Sequence, residues 1–280
     1  MSYRIVADTS CDISQELEEK LRVLLVSFKI AIEGVEYVDD ENLDLNVFIE
    51  AMKASKNPIR TSCPSPYDYL EKLNECEEDK IIIVTISELL SGSNNAAVIA
   101  REEYLREHPD KQVYIVNSKT ASAGQLSLIL KIDEIMKEEI SFEAQIEKIE
   151  EAVGNNETFF ILENLDNLIK NGRIKKATGL VATALNIRPI MKPDKNGDIE
   201  IHEINRGFKK SLLKLAKELG SLADNLEERI LVISHAEGLE KAQMLADKVK
   251  ELHNFKDILI VHTKGLATGY ADMGGIIVGF

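Results

Sequence analysis

The sequence predicts a two-domain α/β fold: a parallel three-layer first domain over residues 1–156 and a second α/β domain with a mixed sheet over 157–280. Three observations predict it. Short β-branched runs, the clearest being Lys80-Ile81-Ile82-Ile83-Val84-Thr85-Ile86, suit strands buried on both faces. Each run ends in a polar loop that gives way to a helical stretch, the alternation of a parallel sheet. Past Gly154 the texture changes: Asn196-Gly197 is a hairpin signal, and Ile199 to Ile204 alternates apolar and polar residues as a half-exposed strand does.

Tyr3 to Ala7 reads as the first strand and ends in the polar cluster Asp8 to Asp12. Ser14 then caps a helix whose first turn is acidic, matching the positive end of the helix dipole. Val23 to Ile32 reads as one strand, Asp44 to Ala54 as a helix, and Thr61 to Pro66 as a polar segment. The strand over 80–86 leads through Ser87 to Asn95 into a helix reaching Glu107. Val113 to Val116 is the next strand, followed by the loop Asn117 to Gly124 and an apolar helix from Gln125 to Lys137. In the second half, strands are expected at Thr158 to Leu162, Ile199 to Ile204, Arg229 to Ser234, Ile258 to His262 and Gly275 to Phe280, with Arg188 to Pro193 as an extended segment that ends at the turn Asp194 to Asp198. Helices are expected at Leu165 to Asn171, Lys209 to Leu222 and Leu239 to Leu252.

At 280 residues and 44% hydrophobic content the chain can bury a large core, and a net charge of -14 disfavours a broad nucleic-acid-binding face. The start reaches Asp8 too soon for a secretory segment, and no apolar run approaches a membrane span, so a cytoplasmic protein without integral membrane association is expected. Cys11, Cys63 and Cys76 show neither metal-ligand spacing nor an even disulfide count, and the five histidines form no metal motif; no metal site is expected. A phosphate-binding Gly-Lys loop, a Gly-x-Ser-x-Gly elbow and a His-Glu-x-x-His helix are all absent from the sequence. Accordingly, no ATP site, no cofactor and no catalytic residue are assigned.

Three hydroxyl-rich segments remain: Thr61 to Ser65, Ser87 to Asn95 and Asn117 to Ser122. Hydroxyls and loop amides together can hold a carboxylate or phosphate without an arginine. In Ser91-Gly92-Ser93-Asn94-Asn95, Gly92 permits close backbone approach and the following helix can direct free amides at an anion. A plain helix cap and turn explains the same spacing.

Taken in order, these segments resemble the DegV family. Thr61-Ser62-Cys63-Pro64-Ser65 is similar to its Thr-Ser-Gln-Pro-Ser loop, with Cys63 in place of glutamine. Leu90-Ser91-Gly92-Ser93-Asn94-Asn95-Ala96 resembles Leu-Ser-Gly-Thr-Tyr-Asn-Ser, and Asn117 to Gly124 resembles Asp-Ser-x-x-x-Ser-x-Gly. Leu165 to Ile174 is close to Leu-x-x-Leu-x-x-Gly-Gly-Arg-Ile, and Arg188-Pro189-Ile190, Gly197 and Arg206 continue the series. The resemblance covers almost the whole chain. It implies a DegV-like fold with a long-chain fatty acid between the domains, its tail mainly in the second. It further implies an acyl-binding protein that presents the fatty carboxylate to a separate ATP-binding fatty acid kinase subunit, which forms the acyl-phosphate.

By residue match, the resemblance implies that Thr61, Ser62 and Ser93 bind or support the head group, that Gly92, Asn94, Asn95 and Ser122 shape the loops, and that Arg173 faces the kinase. At the C-terminal Gly-x-His-x-Gly-Pro-Gly motif this chain departs, placing Tyr270 at the histidine position and Asp272-Met273 at Gly-Pro. Tyrosine still donates a hydrogen bond but does not titrate near neutrality, so Tyr270 is expected as a head-group contact with a different pH response. The competing readings are a lipid sensor or carrier without a kinase, and a stand-alone enzyme on a small carboxylate or phosphate using His235, Asp8 or Asp12.

Overall fold

The computed structural model describes residues 2–174 and 186–280. The first half runs β1 (Tyr3–Asp8), α1 (Gln15–Leu21), β2 (Val23–Val26), β3 (Lys29–Ile32), β4 (Val35–Val38), α2 (Leu45–Ala54), β5 (Arg60–Ser62) and α3 (Pro66–Asn74). It continues with β6 (Lys80–Thr85), α4 (Ser93–Glu107), β7 (Gln112–Asn117), α5 (Ala123–Met136) and α6 (Phe142–Gly154). The second half runs β8 (Thr158–Ile161), α7 (Asp166–Lys170), β9 (Ile190–Pro193), β10 (Ile199–Glu203), α8 (Phe208–Glu218) and β11 (Ile230–His235). It ends with α9 (Leu239–Leu252), β12 (Asp257–His262), α10 (Gly265–Ala271) and β13 (Ile276–Gly279).

Two sheets carry the two α/β domains. The first has the order β2-β1-β6-β7 and is parallel throughout. The second has the order β10-β9-β8-β13-β11-β12 and is mixed, with only β11 and β12 parallel. Because side chains alternate along a strand, each sheet feeds two cores. Val6, Ile81 and Ile83 pack under α3 and α4, whereas Ile5, Ala7, Ile82 and Val84 face the other way, toward α5. In the second sheet Phe160, Val232 and Ile277 join that same inner core, while Phe159, Leu231, Ile233 and Val278 pack under α8 and α9. The helix α5 thus lies between two sheets, which explains why it is buried nearly all round.

The run expected as one strand over Val23 to Ile32 breaks into β2 and β3, which join different sheets. At the break, Phe28 N donates to Thr9 Oγ1 at 3.1 Å and Phe28 O accepts from Asp39 N at 2.9 Å, so its backbone leaves the first ladder. The small antiparallel sheet β4-β3-β5 that results places Thr61 on a strand, opposite Ile30, rather than in a loose loop. The hairpin signal at Asn196-Gly197 is met: β9 and β10 pair antiparallel and Gly197 turns with φ of 90°. Among the described residues no helix is long and apolar enough to cross a membrane.

Candidate functional site

The carboxyl ends of β1, β6 and β7 point toward the second sheet, and a cavity of about 370 Å³ lies where they meet it. Strand ends of this kind collect ligand sites because the loops that leave them are free to vary. Phe28, Ile86 and Leu90 line it from the first domain, and Phe160, Leu162 and Ile277 from the second. Leu266 and Tyr270 enter from α10. Arg173 is the one charged side chain among the described lining residues.

The polar part of the wall is built on regular structure. Thr61, on β5, and Tyr270, on α10, are hydrogen-bonded hydroxyl to hydroxyl at 2.8 Å. Asn167 on α7 and Asn171 just past its end brace both supports: Asn167 Nδ2 donates to Gly269 O at 2.8 Å, and Asn171 Nδ2 donates to Ile59 O, next to β5, at 3.0 Å. Gly269 lets α10 lie close, since a Cβ there would stand 2.6 Å from Ile59 Cδ1. Arg173 follows α7, and its Nε donates to Leu90 O at 2.8 Å, tying the Ser87 to Asn95 loop to the second domain. Ser62 and Gly92 are exposed on the wall, and Cys63, in the glutamine position, lies beside Gly92.

Ser93 is placed differently from Thr61 and Tyr270. It is fully buried behind the wall, where its Oγ donates to Asp8 Oδ2 at 2.7 Å and pairs with Tyr69 OH at 2.7 Å. Asp8 also accepts from Ile86 N at 3.0 Å, Gln125 Nε2 at 3.0 Å and Ser10 Oγ at 2.6 Å. One buried carboxylate therefore binds the starts of α4 and α5 to the end of β1. Asp8→Ala is expected to cost about 3 kcal/mol or more in chemical denaturation, because several buried donors lose their acceptor together.

Ser122 lies on the wall with its hydroxyl bonded to Asp12, and Asn94 Nδ2 donates to Thr85 Oγ1 at 3.0 Å. Asn95 is exposed on α4 and does not line the cavity. His235 is buried at the end of β11 with its ring against His262, centroids 4.9 Å apart, and does not line the cavity either. Burial, then the neighbouring His262, lowers its pKa. Among the described residues no cluster of His, Cys, Asp and Glu could hold a metal ion. Sequence reasoning missed Tyr69, whose partner Ser93 is 24 residues away, and Arg173 as a wall residue. Neither carries a local signal of its place.

The arrangement suits an amphipathic anion: apolar walls for a chain, neutral hydroxyls for a polar head, and one guanidinium nearby. The DegV family model, described as an uncharacterised protein family, matches residues 2–276. A DegV domain-containing protein of Streptococcus pneumoniae is 33% identical over 282 residues, covering 100% of this chain and 99% of the relative. A DegV family protein of Ruminococcus gnavus, solved with vaccenic acid, has 36% identity and a TM-score of 0.94 over 100% of both chains. The Fatty Acid Kinase (Fak) B3 protein of Streptococcus pneumoniae, loaded with linoleic acid, has 31% identity and a TM-score of 0.89, covering 100% of this chain and 99% of that one. Family match, full-length coverage and fold agree, and the chain belongs to the DegV family.

Proposed function

We propose that this chain binds a long-chain fatty acid in the interdomain cavity and presents its carboxylate to a separate ATP-dependent kinase subunit. The observation that carries the reading is the cavity itself, apolar on both sides and furnished with the Thr61–Tyr270 hydroxyl pair. Fatty acids in the Ruminococcus gnavus and Streptococcus pneumoniae relatives support it. Burial of the tail supplies roughly 0.8 kcal/mol per methylene before ordering costs. Thr61 and Tyr270 then orient the carboxylate, and Ser62 supports the same strand. A direct contact from Ser93 requires its hydroxyl to exchange Asp8 for the ligand; in place, Ser93 and Asp8 hold the Gly92 turn. Arg173 gives the charged edge of the site its partner-facing group.

Native mass spectrometry of the purified chain is expected to show a bound fatty acid, and titration with oleic acid to give saturable binding. Tyr270→Phe and Thr61→Val should each weaken that binding about tenfold, the worth of one hydrogen bond to a charged group. Absence of lipid together with no binding in titration would sink the reading. Supplying a candidate kinase and ATP, with and without the chain, separates presentation from simple carriage. Arg173→Ala should reduce acyl-phosphate formation more than oleic acid binding, whereas an equal loss of both would mark damage to the cleft.

A further inference from the structure

The first turn of α10 is held by two buried carboxylates from the other domain. Asp12 Oδ1 accepts from Lys264 N at 2.7 Å, Asp39 Oδ1 from Gly265 N at 2.7 Å, and Asp39 Oδ2 from Leu266 N at 2.9 Å. These are three of the amides that a helix leaves without internal partners. The contact is built for closeness: a Cβ on Gly265 would stand 2.8 Å from Asp39 Oδ1 and 2.6 Å from Leu43 Cδ2. Asp12 sits in the left-handed region at φ 50°, which turns its side chain out of the 3-10 turn Thr9–Cys11. Its second oxygen accepts from Ser122 Oγ, on the cavity wall. The helix so gripped carries Leu266 and Tyr270 into the cavity.

We propose that Asp12 and Asp39 are positioning residues for the head-group site: a two-carboxylate latch that seats α10 on the first domain, sets Tyr270 against Thr61, and must part for the ligand to leave. This rests on the fatty-acid reading above. Both carboxyls are buried, so the latch is expected to respond to proton concentration. Burial, offset in part by its hydrogen bonds and reinforced by Asp39, pushes the Asp12 carboxyl up to about 7. Burial likewise raises Asp39, against the lowering from the Leu266 and Gly265 amides. The ionisable groups facing this pair are Cys11 in the turn before Asp12, which in turn faces Asp8, and Lys264 at the start of α10, which in turn faces Glu18 of α1.

The sign follows from linkage. A carboxyl whose pKa is raised on burial binds its proton more tightly in the latched form than in an opened one, so the latch is favoured below pH 7 and weakens as pH rises through it. Protonated Asp12 can still accept from Lys264 N through Oδ1, so neutralisation removes the charge penalty without removing the bond.

The test is release of preloaded oleic acid into excess serum albumin, followed from pH 6 to pH 8. Release from the unaltered chain should quicken about threefold or more across that range. Asp12→Asn tolerates the left-handed backbone and is neutral, so its release should be slow and flat with pH. Asp39→Ala should release faster at every pH, and Asp39→Asn, which keeps one acceptor, should recover part of the loss. Hydrogen exchange at the Lys264, Gly265 and Leu266 amides, read without ligand, should lose protection in Asp39→Ala while the strands of both sheets stay protected. An Asp12→Asn profile that matches the unaltered chain, or unchanged protection at those amides in Asp39→Ala, overturns the latch. If the chain takes up no oleic acid, the fatty-acid reading fails and amide protection alone decides whether the latch exists.

Discussion

Gly279→Ala is expected to cost about 3 kcal/mol or more of stability, read as a shift in the denaturation midpoint. Gly279 ends β13, the strand between β8 and β11 near the middle of the second sheet. A Cβ there would stand 2.4 Å from Gly124 Cα, and 2.5 Å from both the carbonyl carbon and the oxygen of Ala123. These are backbone atoms at the start of α5, so no flexible side-chain end can swing away. Nor can the strand yield without breaking ladders on both sides. Either α5 shifts, disturbing the core it shares with Ile5 and Ile82, or β13 leaves its register. A midpoint unchanged within about 0.5 kcal/mol would show that the two domains do not meet at this distance.

Periodicity made much of the fold legible. The run at Ile81 to Val84 and the paired signals of Asn196-Gly197 are local, and the parallel first sheet and the β9–β10 hairpin follow from them. Changes of partner were not legible, because a strand's alternation does not say which sheet it joins. Hence Val23 to Ile32 read as one strand although Phe28 diverts it, and the small sheet that positions Thr61 went unseen. α10 was missed for another reason: two glycines in seven residues give it poor helix propensity, and it is held by tertiary contacts instead. Those contacts come from Asp12 and Asp39, more than 200 positions away in sequence, and nothing local marks them as its partners.

The site divides the same way. Thr61 and Tyr270 were legible through ordered motifs, and the structure brings them into contact. Ser93 was legible as a hydroxyl at a helix start, but which group that hydroxyl faces depends on Asp8 and Tyr69 arriving from other elements. A charged group such as Arg173 reads from sequence as surface, and its place on the cavity wall depends on Leu90 accepting its Nε. Hydroxyl loops alone therefore specified a class of ligand. The apolar wall that Phe160 and Ile277 add from the second domain is what narrows that class to a lipid in the function proposed above.

Gly197→Ala is expected to weaken oleic acid binding more than it weakens the fold, the reverse of the Gly279 result. At φ of 90° an alanine is strained, at a cost of roughly 1 kcal/mol or more. Its Cβ would also stand 2.4 Å from Ser87 Oγ and 2.9 Å from both Cα and O of Lys119, in loops of the first domain. The existing contact there is a hydrogen bond from Ser87 Oγ to Gly197 O at 2.8 Å. Unlike β13, the β9–β10 hairpin stands at the edge of its sheet, so its tip can lift off instead of breaking the core. Lifting moves Pro193 and Ile199, both on the cavity wall, and opens the apolar side of the site to water. Because the tip lifts instead of clashing, the loss in denaturation should stay at about 1 kcal/mol, while oleic acid affinity should fall about thirtyfold or more, about 2 kcal/mol. Affinity retained in a destabilised protein would place the tail elsewhere and remove the hairpin from the site. Binding lost with stability intact would instead mark the tip as the closure that keeps water from the acyl chain.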